Sequence, residues 1–263
     1  MPRFIDLSIT LDPDVITDPP FMRPTIERVT HRETVGEAAM FFPGITAEAM
    51  AGGEGFAASE TLTLTTHNGT HLDAPWHYHP TQDEALASGG RPAMTIDEVP
   101  LDWCFRPGVK LDFRHLPDGH VVTGAEMEAE LERIGHRLQP LDIVLVNTRA
   151  GSRLGEADFL GAGVGMGYEA TMYLTTRGVR VTGTDAWSWD APFSHTAKRV
   201  ADTGDYSLVW EGHKAGREIG YCHMEKLANL ESLPPFGFTV SCFPAKVKGG
   251  SAGWTRAVAI LED

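Results

Sequence analysis

The stretch from His67 to His77 concentrates side chains that can bind a metal ion. It reads His-Asn-Gly-Thr-His-Leu-Asp-Ala-Pro-Trp-His, so three histidines and one aspartate fall within eleven residues. Imidazole and carboxylate are ligands that Zn, Mn and Fe(II) accept, and the lack of cysteine in this stretch favours a hydrolytic centre over a structural thiolate site. The sequence therefore predicts a metal centre. An incidental cluster of surface histidines is the alternative.

The residues around these histidines predict a strand that leads into a turn. Gly69 and Pro75 are both unfavourable inside a helix, and residues 58–66 alternate polar and apolar side chains, as a half-buried strand does. If the backbone stays extended from His71 to Asp73, both side chains project from the same face and can hold one ion. His77 is then carried further along, towards a second ion or the substrate.

The same residues resemble the signature of a known family. The pattern H-x-G-T-H-x-D-x-P-x-H is matched without a gap from His67 to His77. It is similar to that of the cyclase family of metal-dependent hydrolases, which includes bacterial kynurenine formamidase, isatin hydrolase and a zinc-dependent trans-dienelactone hydrolase. The resemblance extends to residues 5–8, 183–188, 227–230 and 257–260.

The resemblance implies how the metal site is completed. In the formamidases of the family a histidine and a glutamate twelve residues apart are ligands, and here His213 and Glu225 match that spacing. They would join His67, His71 and Asp73 in holding a divalent ion, Zn or Mn. One ion or two are both open, with Asp73 or Glu225 shared between two ions.

Three further residues are candidates for catalysis. If His77 is not a ligand, it is placed to carry a proton from water to the leaving group. Asp185 and Ser188 follow a predicted strand, where α/β folds tend to place functional loops, and could orient substrate or water. The chain has no G-x-S-x-G motif, which favours direct attack by water over a covalent acyl-enzyme.

Other histidines lie near the predicted site. His79, His195 and His223 are expected at the surface or behind the ligands rather than on the ion. His223 stands two residues from Glu225. If that stretch is a strand, the two side chains share a face, which is the one reason to consider His223 further.

The resemblance implies hydrolysis of a small carbonyl compound. The first expectation is an enzyme that opens an amide, either an aryl formamide or a cyclic amide, of an aromatic substrate. Trp76, Trp187 and Trp189 flank candidate site residues and could stack on such a ring, although core packing explains them equally well. A lactone hydrolase of the trans-dienelactone type is the alternative, and a non-catalytic metal-binding protein is a more distant one.

Patterns along the chain predict an α/β fold. Residues 141–148 form an apolar run typical of a central strand covered on both faces. A predicted helix at 168–177, closed by Gly178, precedes a predicted strand at 179–183. Capping boxes at Thr95–Glu98 and Thr123–Glu126 predict helical turns, and the latter helix is expected to end at Pro140. Strands at 236–243 and 254–261 are expected to pair.

The resemblance implies a swivelling β/β/α arrangement, with mixed sheets and flanking helices. A chain of 263 residues is expected to form a single domain, 1–263. Residues 35–57 are Gly-rich and without clear periodicity, which indicates an irregular insertion that could act as a lid. The resemblance also implies a homo-oligomer, a dimer or a tetramer.

Composition argues against several kinds of partner. The formal charge of −14 disfavours nucleic acid and anionic membranes, which require basic surfaces, so a small-molecule substrate is the expected partner. The N-terminus lacks a signal-peptide pattern, which favours a cytoplasmic location. The three cysteines are far apart and predict no disulfide framework. The Gly-rich loop at 151–167 lacks the phosphate-loop and dinucleotide fingerprints.

Overall fold

The structure, a computed structural model, describes residues 1–50 and 55–262. Its strands are β1 (Arg3–Asp6), β2 (Thr25–Val29), β3 (Ser59–Thr63), β4 (His71–Asp73), β5 (Thr81–Gln82), β6 (Arg91–Pro92), β7 (Phe105–Asp112), β8 (Val121–Val122), β9 (Ile143–Asn147), β10 (Gly165–Met166), β11 (Val181–Thr184), β12 (Cys222–Glu225), β13 (Phe236–Ser241), β14 (Ala252–Trp254) and β15 (Val258–Leu261). Its helices are α1 (Val35–Phe41), α2 (Pro75–Tyr78), α3 (Gly124–Ile134), α4 (Tyr168–Thr175), α5 (Phe193–Thr203) and α6 (Glu211–Glu218).

A large mixed sheet organises the fold. Its nine strands run in the order β1-β15-β13-β7-β9-β11-β12-β4-β14. The central strands β7, β9, β11 and β12 are parallel, while β4 lies antiparallel between β12 and β14. The predicted α/β class is confirmed. Because β4 carries the end of the histidine motif, this topology places the motif inside the sheet.

Strand β9 shows why the sheet is buried on both faces. Ile143 and Leu145 pack into one apolar cluster, whereas Val144 and Val146 pack into a second cluster that includes side chains of α3 and α4. Successive side chains of a strand point to opposite faces, so a strand covered on both sides needs a continuous apolar run. The predicted central strand is confirmed.

Helix α3 begins as its sequence predicts and ends early. The Thr123 side chain accepts a hydrogen bond from Glu126 N, and the Glu126 carboxylate accepts one from Thr123 N, which completes the capping box. The helix stops at Gly135 rather than near Pro140. Gly135 has φ 70°, a left-handed conformation that glycine adopts at little steric cost. In the described part of the chain no helix is long and apolar enough to cross a bilayer.

Two predicted strands are divided differently in the structure. The stretch at 254–261 splits into β14, which pairs with β4, and β15, which pairs with β13 as expected. The stretch at 58–66 forms β3 only to Thr63 and pairs with β2 in a separate hairpin. A turn then separates β3 from β4, so the large sheet, and not that hairpin, delivers the motif.

The segment proposed as a lid is partly helical. Residues 35–41 form α1, where the sequence suggested irregular backbone, and the Phe41 and Phe42 side chains at its end are exposed. Residues 51–54 of the predicted lid lie outside the described residues. The lid function stays a prediction.

Candidate metal centre

Two neighbouring strands place four candidate ligands on one face of the sheet. His71 lies opposite Glu225, and Asp73 lies opposite His223, in the antiparallel pair β4–β12. Side chains two residues apart on a strand share a face, so the register brings both pairs together. The extended backbone predicted from His71 to Asp73 is confirmed, and His71 Nε2 is 3.2 Å from Asp73 Oδ1.

A tight turn before β4 positions His67. Asn68 Oδ1 accepts a hydrogen bond from the Thr65 backbone at 2.7 Å. Gly69 has φ +63°, where a residue with a Cβ is strained. His67 Nδ1 consequently lies 2.9 Å from Asp73 Oδ1, while its Nε2 contacts the Ser251 hydroxyl at 2.9 Å.

The single helical turn α2 positions His77. Ala74 is extended and Pro75 occupies the first helical position, where its missing N–H costs nothing. His77 Nε2 lies 3.7 Å from Asp73 Oδ2, and 22% of its side chain is exposed. His77 therefore contacts the ligand cluster and stays partly open to solvent.

Helix α6 positions His213. Trp210 precedes the helix with φ 61° and stacks on the His213 ring, with centroids 4.5 Å apart and planes 6° apart. Asp190 accepts hydrogen bonds from the Gly212 backbone at 2.7 Å, from the His213 backbone at 3.1 Å and from His213 Nδ1. The Asp190 carboxylate thus orients the imidazole and also accepts hydrogen bonds from backbone N–H groups in the first turn of α6.

The ligand atoms form two groups that share Asp73. One comprises Asp73, His213, His223 and Glu225, all buried; the other comprises His67, Asp73 and His77; within each group the ligand atoms lie within 4.8 Å of one another. The two oxygens of the Asp73 carboxylate contact different histidines: Oδ1 contacts His67 and His71, whereas Oδ2 contacts His223.

The donor set fits a divalent cation. Within the described residues, His71 Nε2, His223 Nε2 and both Asp73 carboxylate oxygens are buried without a hydrogen-bond partner. Polar atoms left in this state are costly, and a metal ion satisfies imidazole and carboxylate together. The site contains no thiolate, which agrees with a hydrolytic rather than a structural zinc site.

The hydrogen-bond partners also fix the imidazole tautomers. His71 Nδ1 lies 2.9 Å from the Gly69 carbonyl oxygen, and His213 Nδ1 faces the Asp190 carboxylate. Both partners only accept, so each Nδ1 carries a proton and donates. In the neutral imidazole each Nε2 then presents a lone pair to the cluster, as a metal ligand requires.

The charges in the cluster depend on one another. Burial opposes ionisation of both carboxylates, but the surrounding imidazoles outweigh it: the pKa of Asp73 lies well below its usual value, and the pKa of Glu225 falls to about 2. Burial and the neighbouring histidines lower the pKa of His77 to about 4, against the opposing effect of Asp73. His77 is therefore neutral at pH 7 and can accept a proton.

A buried ion pair connects the N-terminal loop to the centre. Lys226, next to Glu225, donates to the Asp18 carboxylate and, at 2.8 Å, to the His67 carbonyl oxygen. Asp18 also accepts a hydrogen bond from Asn68 Nδ2 at 3.0 Å. The ion pair thereby fixes the turn that carries His67.

Asp185 and Ser188 lie in the loop that follows β11. The Asp185 carboxylate accepts hydrogen bonds from the Thr148 backbone at 2.9 Å, the Thr148 hydroxyl at 2.7 Å and Asn147 at 3.2 Å. These partners belong to the end of β9 and not to the ligand cluster. Ser188 is buried, and its neighbour Trp189 donates a backbone hydrogen bond to Glu225 Oε1 at 2.9 Å.

Sequence reasoning gave little weight to His223 and none to Asp190. His223 is fully buried between Asp73 and Glu225; the His-x-Glu spacing on a predicted strand was its signal. Asp190 ends the loop that starts at Asp185. It orients His213 through a hydrogen bond between residues 23 positions apart in the sequence. His79 instead contacts Thr81, and His195 belongs to α5.

The three tryptophans near the centre differ in their surroundings. Trp189 is buried and packs on the His223 ring, with centroids 5.8 Å apart. Trp187 is hydrogen-bonded to Asp18 through its indole N–H at 3.3 Å. Trp76 is 46% exposed. Of the three, Trp76 is the most available to a ligand.

The histidine motif and the loop before Asp190 both lie in the part of the chain that matches the model of a known protein family. The Cyclase family model matches residues 5–191. The chain belongs to the Cyclase family. A curated relative, kynurenine formamidase from Salinibacter ruber (strain DSM 13855 / M31), is 26% identical over 204 residues, covering 75% of this chain and 77% of the relative.

Solved structures show that this Cyclase-family fold is shared. Isatin hydrolase A from Ralstonia solanacearum superposes with a TM-score of 0.74 at 23% identity, covering 99% of this chain and 92% of that one. Isatin hydrolase A from Labrenzia aggregata, bound to benzyl benzoate, gives a TM-score of 0.72 at 23% identity, covering 100% and 94%. At 23% identity, this similarity shows a shared fold and not a shared activity.

Proposed function

We propose that this member of the Cyclase family is a metal-dependent hydrolase that opens the amide bond of a small aromatic substrate, an aryl formamide or a cyclic amide. The observation that carries the proposal is the buried cluster of imidazole and carboxylate atoms around Asp73, which lack hydrogen-bond partners within the described residues. The similarity to a kynurenine formamidase supports the amide as the bond attacked.

The ion is assigned to His67, His71, Asp73, His213 and Glu225. A Zn or Mn ion held by these residues, one or two per chain, would lower the pKa of water at the site to about 7 and would polarise the substrate carbonyl. Trp189 holds Glu225 in place through its backbone N–H, and Asp190 orients His213. These contacts fix ligand geometry before any ion binds, which limits reorganisation during the reaction.

His77 is assigned the proton transfer. Its Nε2 faces Asp73 at 3.7 Å, and its side chain is partly exposed, so it reaches both the attacking water and a substrate over the cluster. His77 Nε2 takes a proton from the water and delivers it to the leaving nitrogen, as general acid–base catalysis requires. The edge-on contact with Trp210, at 5.3 Å between centroids, limits rotation of the ring.

An apolar cavity beside the centre supports an aromatic substrate. The cavity has a volume of about 320 Å³ and is lined by residues that include Asp190, Phe193, Val209 and Trp210. Two of these residues contact His213 directly, so the cavity adjoins the cluster. We assign it to the aryl part of the substrate, since apolar walls with few polar groups are typical of such sites.

Asp185, Ser188, the oligomeric state and the location of the protein complete the proposal. Asp185 and Ser188 stay candidates for orienting substrate or water; the hydrogen bonds to Asp185 support a role in holding the β11 loop that carries Trp189. Homo-oligomeric assembly and a cytoplasmic location stay predictions, to be checked by light scattering and by cell fractionation.

The first experiment measures metal content together with turnover. Protein purified without chelator is analysed by plasma mass spectrometry and assayed with N-formylkynurenine, isatin and a dienelactone, before and after metal removal. One or two equivalents of Zn or Mn with metal-dependent hydrolysis of either amide is the expected result. Turnover of the dienelactone alone would replace the amide by a lactone. Folded protein that binds neither metal would refute the proposal.

A further inference from the structure

His223 faces the cluster from β12, the strand beside β4. Its Nε2 lies 3.2 Å from Asp73 Oδ2 and 3.2 Å from Glu225 Oε1. Despite these distances, neither His223 Nε2 nor the Asp73 oxygens meet the geometry of a hydrogen bond to any described residue. The atoms approach one another as the ligands of a common ion do.

Two tyrosine hydroxyls determine which His223 nitrogen carries a proton. The Tyr78 hydroxyl donates to the Asp73 carbonyl oxygen at 3.2 Å and lies 3.1 Å from His223 Nδ1. The Tyr221 hydroxyl donates to the Gly212 carbonyl oxygen at 2.8 Å and lies 3.4 Å from His223 Nδ1. A hydroxyl has a single proton, and both protons are used on carbonyls. With both hydroxyl protons on carbonyls, Nδ1–H donates to the nearer hydroxyl, that of Tyr78, and the neutral ring has its lone pair on Nε2.

The His223 ring is also held rigidly. It stacks on Tyr78, with centroids 5.1 Å apart and planes 12° apart, and on Trp189, with planes 17° apart. The His213 ring meets it edge-on at 4.6 Å between centroids. Rotation that would move Nε2 away from the carboxylates is thus blocked by packing. A fixed, buried lone pair facing two carboxylates is unfavourable unless a cation lies among them or Nε2 takes up a proton.

We propose that His223 is a direct ligand of the ion bound by the buried group, together with Asp73, His213 and Glu225. The consequence is a buried subsite that holds its ion without His67 or His77. This inference rests on the metal centre of the proposed function, but it concerns ion binding and not turnover. In the competing arrangement, His223 carries a second proton on Nε2 and only neutralises the two carboxylates.

Two substitutions separate the ligand atom from the structural contacts of His223. His223→Asn keeps a donor near the Nδ1 position for the tyrosine hydroxyls and removes Nε2. His223→Phe keeps the stacked ring and removes both nitrogens. Each full-length variant is stripped of metal and titrated with Zn²⁺ against a chromophoric chelator, and with Co²⁺ while visible absorption is recorded. Thermal unfolding of the metal-free proteins establishes that they are folded.

The expected result is weaker binding of the first ion in both variants. Loss of an outer partner typically costs about 10–100-fold in metal affinity, so loss of a direct ligand should exceed about 100-fold and should change the Co²⁺ bands. Tyr78→Phe is the matched control, because it removes the hydroxyl that contacts His223 Nδ1 and the Asp73 carbonyl oxygen and leaves every ligand atom in place: its effect should stay within about 100-fold with the bands preserved. His67→Ala should retain the first ion.

Wild-type affinity and an unchanged Co²⁺ spectrum in either folded His223 variant would overturn the proposal, as would an effect no larger than that of Tyr78→Phe. X-ray absorption of the wild-type chain loaded with one equivalent of Zn²⁺ supplies a test that needs no variant. Two imidazoles on the ion, from His213 and His223, are expected, and a single imidazole would refute the assignment. Because no substrate is involved, failure of hydrolysis leaves these results unaffected.

Discussion

Asp73 is the residue on which the centre most depends, because its two oxygens serve different sides of the cluster. Oδ1 contacts His67 and His71, and Oδ2 contacts His223. His77 differs from these ligand candidates in being partly exposed. Because His77 is partly exposed, it can reach a substrate, whereas the buried candidates can only hold an ion.

Replacing His77 by glutamine should therefore reduce turnover more than metal content. We expect kcat to fall by about 100- to 10,000-fold, the usual contribution of a general acid–base group, with metal per chain unchanged. Initial rates and plasma mass spectrometry on the same sample measure both. His79→Gln is the control, since His79 contacts Thr81 and not the cluster. Parallel loss of metal in His77→Gln would show that His77 is itself a ligand.

Asp185 gives a second prediction, on pH dependence. Burial, against the opposing hydrogen bonds from Thr148, raises the pKa of Asp185 from 3.8 to about 7. The folded state thus keeps a proton that the unfolded state loses near pH 4, so the free energy of unfolding should decrease as pH rises from about 4 to 7 and then level off. At 1.36 kcal/mol per unit, the loss is roughly 4 kcal/mol.

Urea denaturation of the metal-free chain between pH 4 and pH 8 measures this loss. Since histidines titrate in the same range, the quantity to compare is the difference between wild type and Asp185→Asn. The variant cannot ionise and should lack the Asp185 contribution. Identical pH profiles for the two proteins would show that Asp185 is ionised throughout, held so by the donors of Asn147 and Thr148.

Among the elements, β12 contributes to the site through its carboxyl end. Its last residue, Glu225, faces the cluster, and the following residue, Lys226, pairs with Asp18 of the N-terminal loop. Lys226 has φ 57°, and this turn of the backbone points consecutive side chains at different parts of the site. The loop, the motif turn and β12 are therefore coupled.

Lys226→Met should destabilise the chain by about 3–5 kcal/mol, because it leaves Asp18 charged, buried and without its cation. Adding Asp18→Asn should recover part of the loss, since the amide oxygen can still accept from Asn68 and the unpaired charge is gone. Urea denaturation of the metal-free single and double variants tests this as a double-mutant cycle. Strictly additive effects would show that the ion pair does not couple the loop to β12.

At the scale of the whole molecule, local signals in the sequence predicted local structure. The apolar run of β9, the capping box of Thr123 and the extended step from His71 to Asp73 all depend on neighbouring residues, and the structure reproduces them. The pairing of β4 with β12 and β14 joins segments more than 140 residues apart. No periodicity encodes such a pairing, so the position of His223 and the role of Asp190 emerged only from the fold.

The same long-range pairing implies that ion binding stabilises the whole chain. The ligand candidates come from the motif turn, β4, α6 and β12, which are assembled only in the folded state, so an ion that binds this state alone shifts the unfolding equilibrium. At free ion 100 times above Kd the gain is about 2.7 kcal/mol. For a chain of this size that corresponds to roughly 5–10 °C in Tm.

Differential scanning calorimetry after chelation and after return of Zn or Mn measures the shift in Tm. Asp73→Asn removes a charged ligand from both groups, so its Tm should respond far less to the ion. Equal Tm values with and without the ion would mean that the cluster is already satisfied by protons, and the metal centre would have to be abandoned.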